Sequence, residues 1–214
     1  DINDRTEINI NSTIPVGRGL GSSAALSIAI ARAKKLTNIR EIADKCEKFI
    51  HGNPSGIDVN QVLSDTPLLF SKKDGAIPLD FNLDSYLLII DTGVIGITKE
   101  TLKHIKQNFE NYKSYIDELG EITEKVIEPL KKKAIEIVGA YMYKAHDLLQ
   151  KLGVSHESND DVVNICKNNG ALGAKLTGGG AGGCCIALSK TKENAEKIQN
   201  ELAKKGYKSW IVTV

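Results

Sequence analysis

The segment Thr177-Gly178-Gly179-Gly180-Ala181-Gly182-Gly183 restricts the folds open to this chain more than any other stretch. Apolar, strand-like runs frame it, residues 171–176 before and 184–188 after. A hairpin joining two such strands needs only one or two glycines to turn the chain. Flexible glycine linkers are seldom set between buried-looking strands. A backbone stripped of side chains over this length therefore predicts that a ligand or a second backbone approaches it closely.

A second glycine segment, Pro15-Val16-Gly17-Arg18-Gly19-Leu20-Gly21-Ser22-Ser23, lies near the other end. It follows residues 6–14, where Glu7-Ile8-Asn9-Ile10 alternates polar and apolar as a half-buried strand does. It precedes residues 22–36, rich in Ala, Ile and Leu without Gly or Pro, which read as a helix. Glycines permit positive φ and close approach, and a helix start offers free N–H groups and the positive end of the dipole, a pairing that suits phosphate. Arg18 adds charge there, and Ser22 or Ser23 is expected at the helix N-cap. No Gly-Lys-Ser/Thr follows, so this is not a Walker A loop, and the third glycine comes one residue too early for a dinucleotide fingerprint. By itself the segment reads either as an anion cradle or as a tight strand-to-helix turn without a ligand.

The third feature is a pair of carboxylates, Glu47 and Asp58, on either side of the turn His51-Gly52-Asn53-Pro54-Ser55-Gly56. Next to a phosphate site, two carboxylates can serve as a metal ligand and a general base, since Mg²⁺ takes one or two carboxylates besides phosphate oxygens. The pair alone reads equally well as solvated acidic residues. Asp58 follows the Gly/Pro turn and precedes the apolar Val59, which predicts a rigidly held side chain.

Composition removes several alternatives. The net charge is +1, from 28 Lys+Arg against 27 Asp+Glu, with no basic stripe, so nucleic acid is not expected as a partner. With 41% hydrophobic and 26% charged residues, the 214-residue chain is in the ordinary globular range, one large domain or two small ones. The longest apolar run, residues 24–31, is interrupted by Ser27 and closed by Arg32, far short of the ~20 residues of a membrane helix. No membrane partner is expected. Cys46, Cys166, Cys184 and Cys185 form no C-x-x-C pair and read as reduced thiols of a cytoplasmic protein. The polar opening Asp1-Ile2-Asn3-Asp4-Arg5 is no signal peptide, and it lacks a Met, which leaves open a start further upstream.

Periodicity predicts further helices over 39–50, 99–109, 114–126, 129–152 with Gly153 as C-cap, 160–168 and 191–205. Strands are predicted over 67–70, 86–90, 171–176, 184–188 and 209–214. The strand-helix-strand-strand-helix-strand order toward the C-terminus points to a ferredoxin-like sandwich, with a boundary between halves near Asp84. His104 and His146 read as surface or packing residues, Lys131-Lys132-Lys133 as a solvated helix start, and Tyr207 and Trp210 as packing residues.

Taken together, the three segments resemble the GHMP kinases, named for galactokinase, homoserine, mevalonate and phosphomevalonate kinases. Residues 15–25 resemble that family's phosphate-binding motif, and Lys175-Leu176-Thr177 through Cys184 its C-terminal glycine motif. His51-Gly52-Asn53-Pro54-Ser55-Gly56-Ile57-Asp58 is similar to the version in members that phosphorylate mevalonate, and so is Leu152-Gly153-Val154-Ser155-His156. The resemblance runs from about Ile10 to the C-terminus.

The resemblance implies a two-domain α+β fold. Residues 1–84 would be a ribosomal protein S5 domain 2-like ATP-binding part, incomplete here, and residues 85–214 a ferredoxin-like C-terminal domain. It implies that Ser12, Gly17, Arg18, Gly19, Leu20, Gly21, Ser22 and Ser23 contact ATP, with Gly178, Gly179 and Gly180 closing from the second domain. Ser23 and Glu47 would hold Mg²⁺. Asp58 would accept the proton of the C5 hydroxyl of mevalonate, with Gly179 also at the substrate. Thr98 is a weaker substrate-site candidate and reads equally as the N-cap of a helix beginning at Lys99. A kinase of the same family acting on phosphomevalonate or homoserine is the alternative. A non-catalytic ligand sensor is the third reading, disfavoured by the presence of both Asp58 and Glu47. A homodimer is one assembly left open. The family's Lys…Gly-Glu-His segment is missing and the Ser23-to-Glu47 interval is short, so the chain is expected to be part of a longer protein.

Overall fold

The computed structural model describes residues 7–96, 103 and 105–214. In the N-terminal half, α1 (Ser22–Ala33), α2 (Ile39–His51) and α3 (Ile57–Val62) close over a small core of Ala24, Ile28, Ala43 and Val59. On α1 the buried positions Ala24, Ser27, Ile28 and Ala31 follow the i, i+3, i+4, i+7 stripe of a helix with one face inward. The alanines at Ala24 and Ala43 let α1 and α2 approach closely. A two-stranded antiparallel hairpin follows, β1 (Leu68–Ser71) and β2 (Gly75–Pro78), turned at Asp74, whose N–H donates to Ser71 Oγ.

The C-terminal half carries β3 (Tyr86–Asp91), α4 (Phe109–Lys125), α5 (Ile127–Lys131), α6 (Ile135–Lys151) and α7 (Glu157–Asn168). Then come β4 (Gly173–Thr177), β5 (Cys184–Ser189), α8 (Lys192–Lys204) and β6 (Lys208–Thr213). The four strands form one antiparallel sheet in the order β4-β5-β3-β6, with Ile90 opposite Cys185 and Leu88 opposite Ile211. The expected ferredoxin-like order is therefore present, with β3 between β5 and β6. One face buries Leu88, Ile90, Leu176, Cys185 and Ala187 with Val162 and Cys166 of α7 and Ile198 and Leu202 of α8. Complete burial of a side chain such as Ile198 or Leu202 stabilises by about 1.5–3 kcal/mol. On the other face Leu188 packs with Leu83 and with Ile135, Val138 and Met142 of α6. Helix α6 reaches β4 because Gly139 and Gly173 meet backbone to backbone; a Cβ on either would overlap the other segment.

Three expectations are corrected. Residues 7–13 join no ladder, and Ile8 and Ile10 are exposed, because no described strand lies beside them to use the alternation. The helix expected over 129–152 is two, α5 and α6. The chain breaks at Lys132–Ala134, where Lys133 adopts φ 54°, so the lysine run ends one helix and does not open another. Helix α3 and strand β2 were not expected, each being too short for periodicity to register. Of the helix expected over 99–109, residues 99–102 and 104 lie outside the described residues, and 103 and 105–107 are helical. Gly153 does end α6: its N–H donates to Gln150 O and that of Val154 to Leu149 O, a Schellman cap. Among the described residues no helix is long and apolar enough to cross a membrane.

Candidate active site

The first glycine segment lies at the start of α1. Gly17, Gly19 and Gly21 have φ of 73°, 73° and 65°, a region that side chains other than glycine rarely occupy. Gly21 is the N-cap, and Ser22 and Ser23 are the first helical residues, so the expected serine cap is corrected. No side chain caps the helix and its first turn holds no acidic residue, an arrangement whose leading N–H groups can bind an anion.

The second glycine segment joins β4 to β5 and lies against the first. Gly178 sits so close to Gly19 that a Cβ on it would be 3.0 Å from the Gly19 carbonyl oxygen and 3.1 Å from its Cα. A Cβ on Gly183 would likewise be 3.0 Å from the Arg18 carbonyl oxygen. Gly180 lies under the Val154 carbonyl and Gly182 against Val94. What the glycines admit is thus largely other backbone. Asn159, fully buried on α7, locks the segment by accepting from the Gly182 N–H and donating to the Gly182 carbonyl, both at 3.0 Å. Thr92 at the end of β3 donates from Oγ1 to Gly183 O at 2.7 Å. Buried His146 of α6 accepts from the Leu176 N–H and faces Asp160 at 3.2 Å, with burial holding its pKa below the usual histidine value against the pull of Asp160. Gly178 and Gly179 remain exposed, whereas Gly180 is buried.

Arg18 turns away from the loop it sits on. Its Nε pairs with Asp91 Oδ1 at 3.0 Å and its Nη2 donates to Gly93 O at 3.0 Å, while Nη1 is buried without a partner among the described residues.

The carboxylates converge on α1. The Asp58 side chain, in the first turn of α3, lies against Gly21: a Cβ there would be 3.5 Å from Asp58 Oδ1. Ser23 Oγ lies 3.3 Å from His51 Nε2, which lies 3.6 Å from Glu47 Oε2. Glu47 is only 3% exposed, and its Oε1 is buried with no partner among the described residues. A carboxylate buried in this state calls for a cation, so Glu47 and Ser23 fit a divalent metal. Burial, and secondarily the charge of Glu47, raise the Asp58 pKa above the ordinary aspartate value, with His51 opposing.

The turn 51–56 therefore folds the helix carrying Glu47 back onto the one carrying Asp58, and both onto Ser23. Ser12 is exposed and accepts from the Ile14 N–H, and Leu20 is half-buried between Gly19 and Gly21. Thr98 lies outside the described residues. Reading for motifs missed His51, Asn159 and Thr92 as members of the site. His51 alone had a signal, its place four residues after Glu47 on one helix face.

A glycine-lined helix start, a buried carboxylate with one oxygen unpaired among the described residues and a second carboxylate with raised pKa make a site suited to phosphate, a cation and a proton acceptor. The profile described as GHMP kinases N terminal domain matches residues 2–64, and that described as GHMP kinases C terminal matches residues 126–208. The chain belongs to the GHMP kinase family. Among its members, the mevalonate kinase of Thermococcus sibiricus is 34% identical over 204 residues, covering 87% of this chain and 61% of the relative. The mevalonate kinase of Aeropyrum pernix is 32% identical over 206 residues, with the same coverage of 87% and 61%. The solved structure of L. major mevalonate kinase in complex with R-mevalonate matches with a TM-score of 0.81 at 27% identity, over 90% of this chain and 65% of that one. The chain spans about three fifths of the length of the curated relatives it matches.

Proposed function

We propose that the protein transfers the γ-phosphate of ATP to the C5 hydroxyl of mevalonate, giving 5-phosphomevalonate and ADP, in the cytoplasm. The observation that carries this reading is the Asp58 carboxyl resting on Gly21, at the mouth of the anion site formed by the start of α1. The phosphates of ATP lie over Gly17–Ser23, with the exposed Gly178 and Gly179 closing from the C-terminal half, residues 85–214. Ser12, Leu20 and Ser22 line the nucleotide, Gly179 contacts the acceptor, and Thr98 is a further candidate for the acceptor by sequence alone.

Asp58 takes the hydroxyl proton as the oxygen attacks the γ-phosphorus. The bond from that phosphorus to the β–γ bridging oxygen breaks, and ADP leaves with the electron pair. An Asp pKa raised toward the working pH makes it a better base than a solvated carboxylate. Phosphoryl transfer otherwise asks mainly for positioning and charge stabilisation. Ser23 and Glu47 would hold Mg²⁺, which neutralises phosphate charge when bound.

The reading is tested by coupled ADP release from full-length protein with mevalonate, phosphomevalonate, homoserine and galactose as acceptors. Turnover with mevalonate is expected. Turnover confined to another acceptor would move the assignment elsewhere in the family, and none with any would remove the kinase reading.

A further inference from the structure

Arg18 is the one cation within the first glycine segment, and a loop that binds phosphate would be expected to spend it there. The geometry points to a different use: Arg18 is a positioning residue that clasps the nucleotide loop to the end of β3 and so sets the spacing of the two glycine segments. The inference rests on nucleotide binding at the loop, and not on which alcohol is phosphorylated.

The guanidinium spans two groups of one turn. Nε meets Asp91 Oδ1 and Nη2 donates to the Gly93 carbonyl, while the same Asp91 Oδ1 accepts from the Gly93 N–H at 2.8 Å. Both partners are well shielded, with side chains 16% and 13% exposed, so water screens the pair little. Such a two-point contact requires the planar fork of arginine.

The same turn grips the second glycine segment. Gly183 donates from its N–H to Val94 O at 2.8 Å, and its carbonyl accepts from both the N–H and the Oγ1 of Thr92. The Arg18 carbonyl lies close enough to Gly183 that a Cβ there would be 3.0 Å from its oxygen. Arg18, residues 91–94 and Gly183 therefore form one knot where both loops and the sheet meet. Because Asp91 neutralises the guanidinium, phosphate recognition is left to the backbone N–H groups of the loop and of α1. The clasp raises nucleotide affinity by holding Gly19 against Gly178, not by touching phosphate.

The two roles predict opposite results for Asp91→Asn, a nearly isosteric change. Affinity of the full-length protein for a fluorescent ADP analogue with Mg²⁺ is measured for wild type, Asp91→Asn, Arg18→Met, Arg18→Lys and the Asp91→Asn/Arg18→Met double variant. Under the clasp, Asp91→Asn and Arg18→Met each weaken binding about tenfold, and the double variant is no worse than either. Arg18→Lys restores little, because an ammonium cannot bridge both partners. If Arg18 is a phosphate ligand, Asp91→Asn frees it and binding stays equal or tightens, Lys substitutes substantially, and the two changes are independent. Either pattern overturns the clasp. Thermal unfolding of each variant shows whether it is folded, and Asp91→Asn keeps the test decisive should Arg18→Met not fold. The readout is binding, so a protein that binds nucleotide but turns over no mevalonate would still report on the clasp.

Discussion

Gly180→Ala probes the packing that holds the second glycine segment in place. Gly180 has φ 77°, and a Cβ there would lie against the Val154 carbonyl oxygen, closer than any real Cβ sits. Placing an L side chain at left-handed φ costs roughly 1–2 kcal/mol. Relieving the overlap must also move the Val154 carbonyl, which now accepts from the Ala181 N–H at 2.8 Å, and losing that bond costs about 1 kcal/mol. Gly206 provides the control, since at φ 86° it has nothing within 4 Å of its Cβ position and Gly206→Ala costs the conformational part alone. Urea unfolding is expected to show Gly180→Ala destabilised by about 3 kcal/mol and Gly206→Ala by about half of that, with equal m-values. ADP binding should weaken only in Gly180→Ala, because Gly178 and Gly179 move with the loop. Equal destabilisation of the two variants would refute the packing of the segment on Val154.

Asp58→Asn should stabilise the fold at neutral pH. The folded-state pKa of Asp58 is raised, so its contribution is fully present below the unfolded value and lost as pH rises through the folded one; in unfolding measured from pH 3 to 8, the variant's advantage should emerge as pH rises past the unfolded value and be complete above the folded one. Glu47→Gln is expected to raise the Mg²⁺ concentration needed for half-maximal turnover, and an unaltered Mg²⁺ titration would count against Glu47 as a ligand. Asn159→Ala strips both partners from the buried Gly182 peptide groups and should cost about 3 kcal/mol in urea unfolding. A loss below 1 kcal/mol would mean that other groups hold that segment.

Local rules were readable where one residue type answers a local demand. The positive φ of Gly17, Gly19 and Gly21 and the Schellman cap at Gly153 follow from glycine chemistry within a few residues. The antiparallel sheet follows from the order of its elements. What the glycines of 177–183 admit was not readable, because their partners Val154, Val94 and Arg18 are remote in sequence and carry no signal of their own. Arg18 looked like a phosphate ligand for the same reason: its partner Asp91 lies about a third of the chain away. The strand expected over 6–14 failed because alternation specifies a face and never the neighbour that must cover it. The grouping of Glu47, His51 and Ser23 depended on where the turn at 51–56 aims α2, which the dipeptide signals of that turn do not encode.

Under the proposed function Asp58, resting on the start of α1, is the base of a phosphoryl-transfer site. Single-turnover measurement of 5-phosphomevalonate formation by full-length protein, wild type against Asp58→Asn, tests it most directly when nucleotide affinity is followed in parallel. The account predicts that Asp58→Asn lowers the chemical step by a factor on the order of 10²–10⁴ while ADP and ATP affinity stay close to wild type. A chemical step within about twofold of wild type at unchanged nucleotide affinity, against the 10²–10⁴ expected of a lost general base, would contradict it.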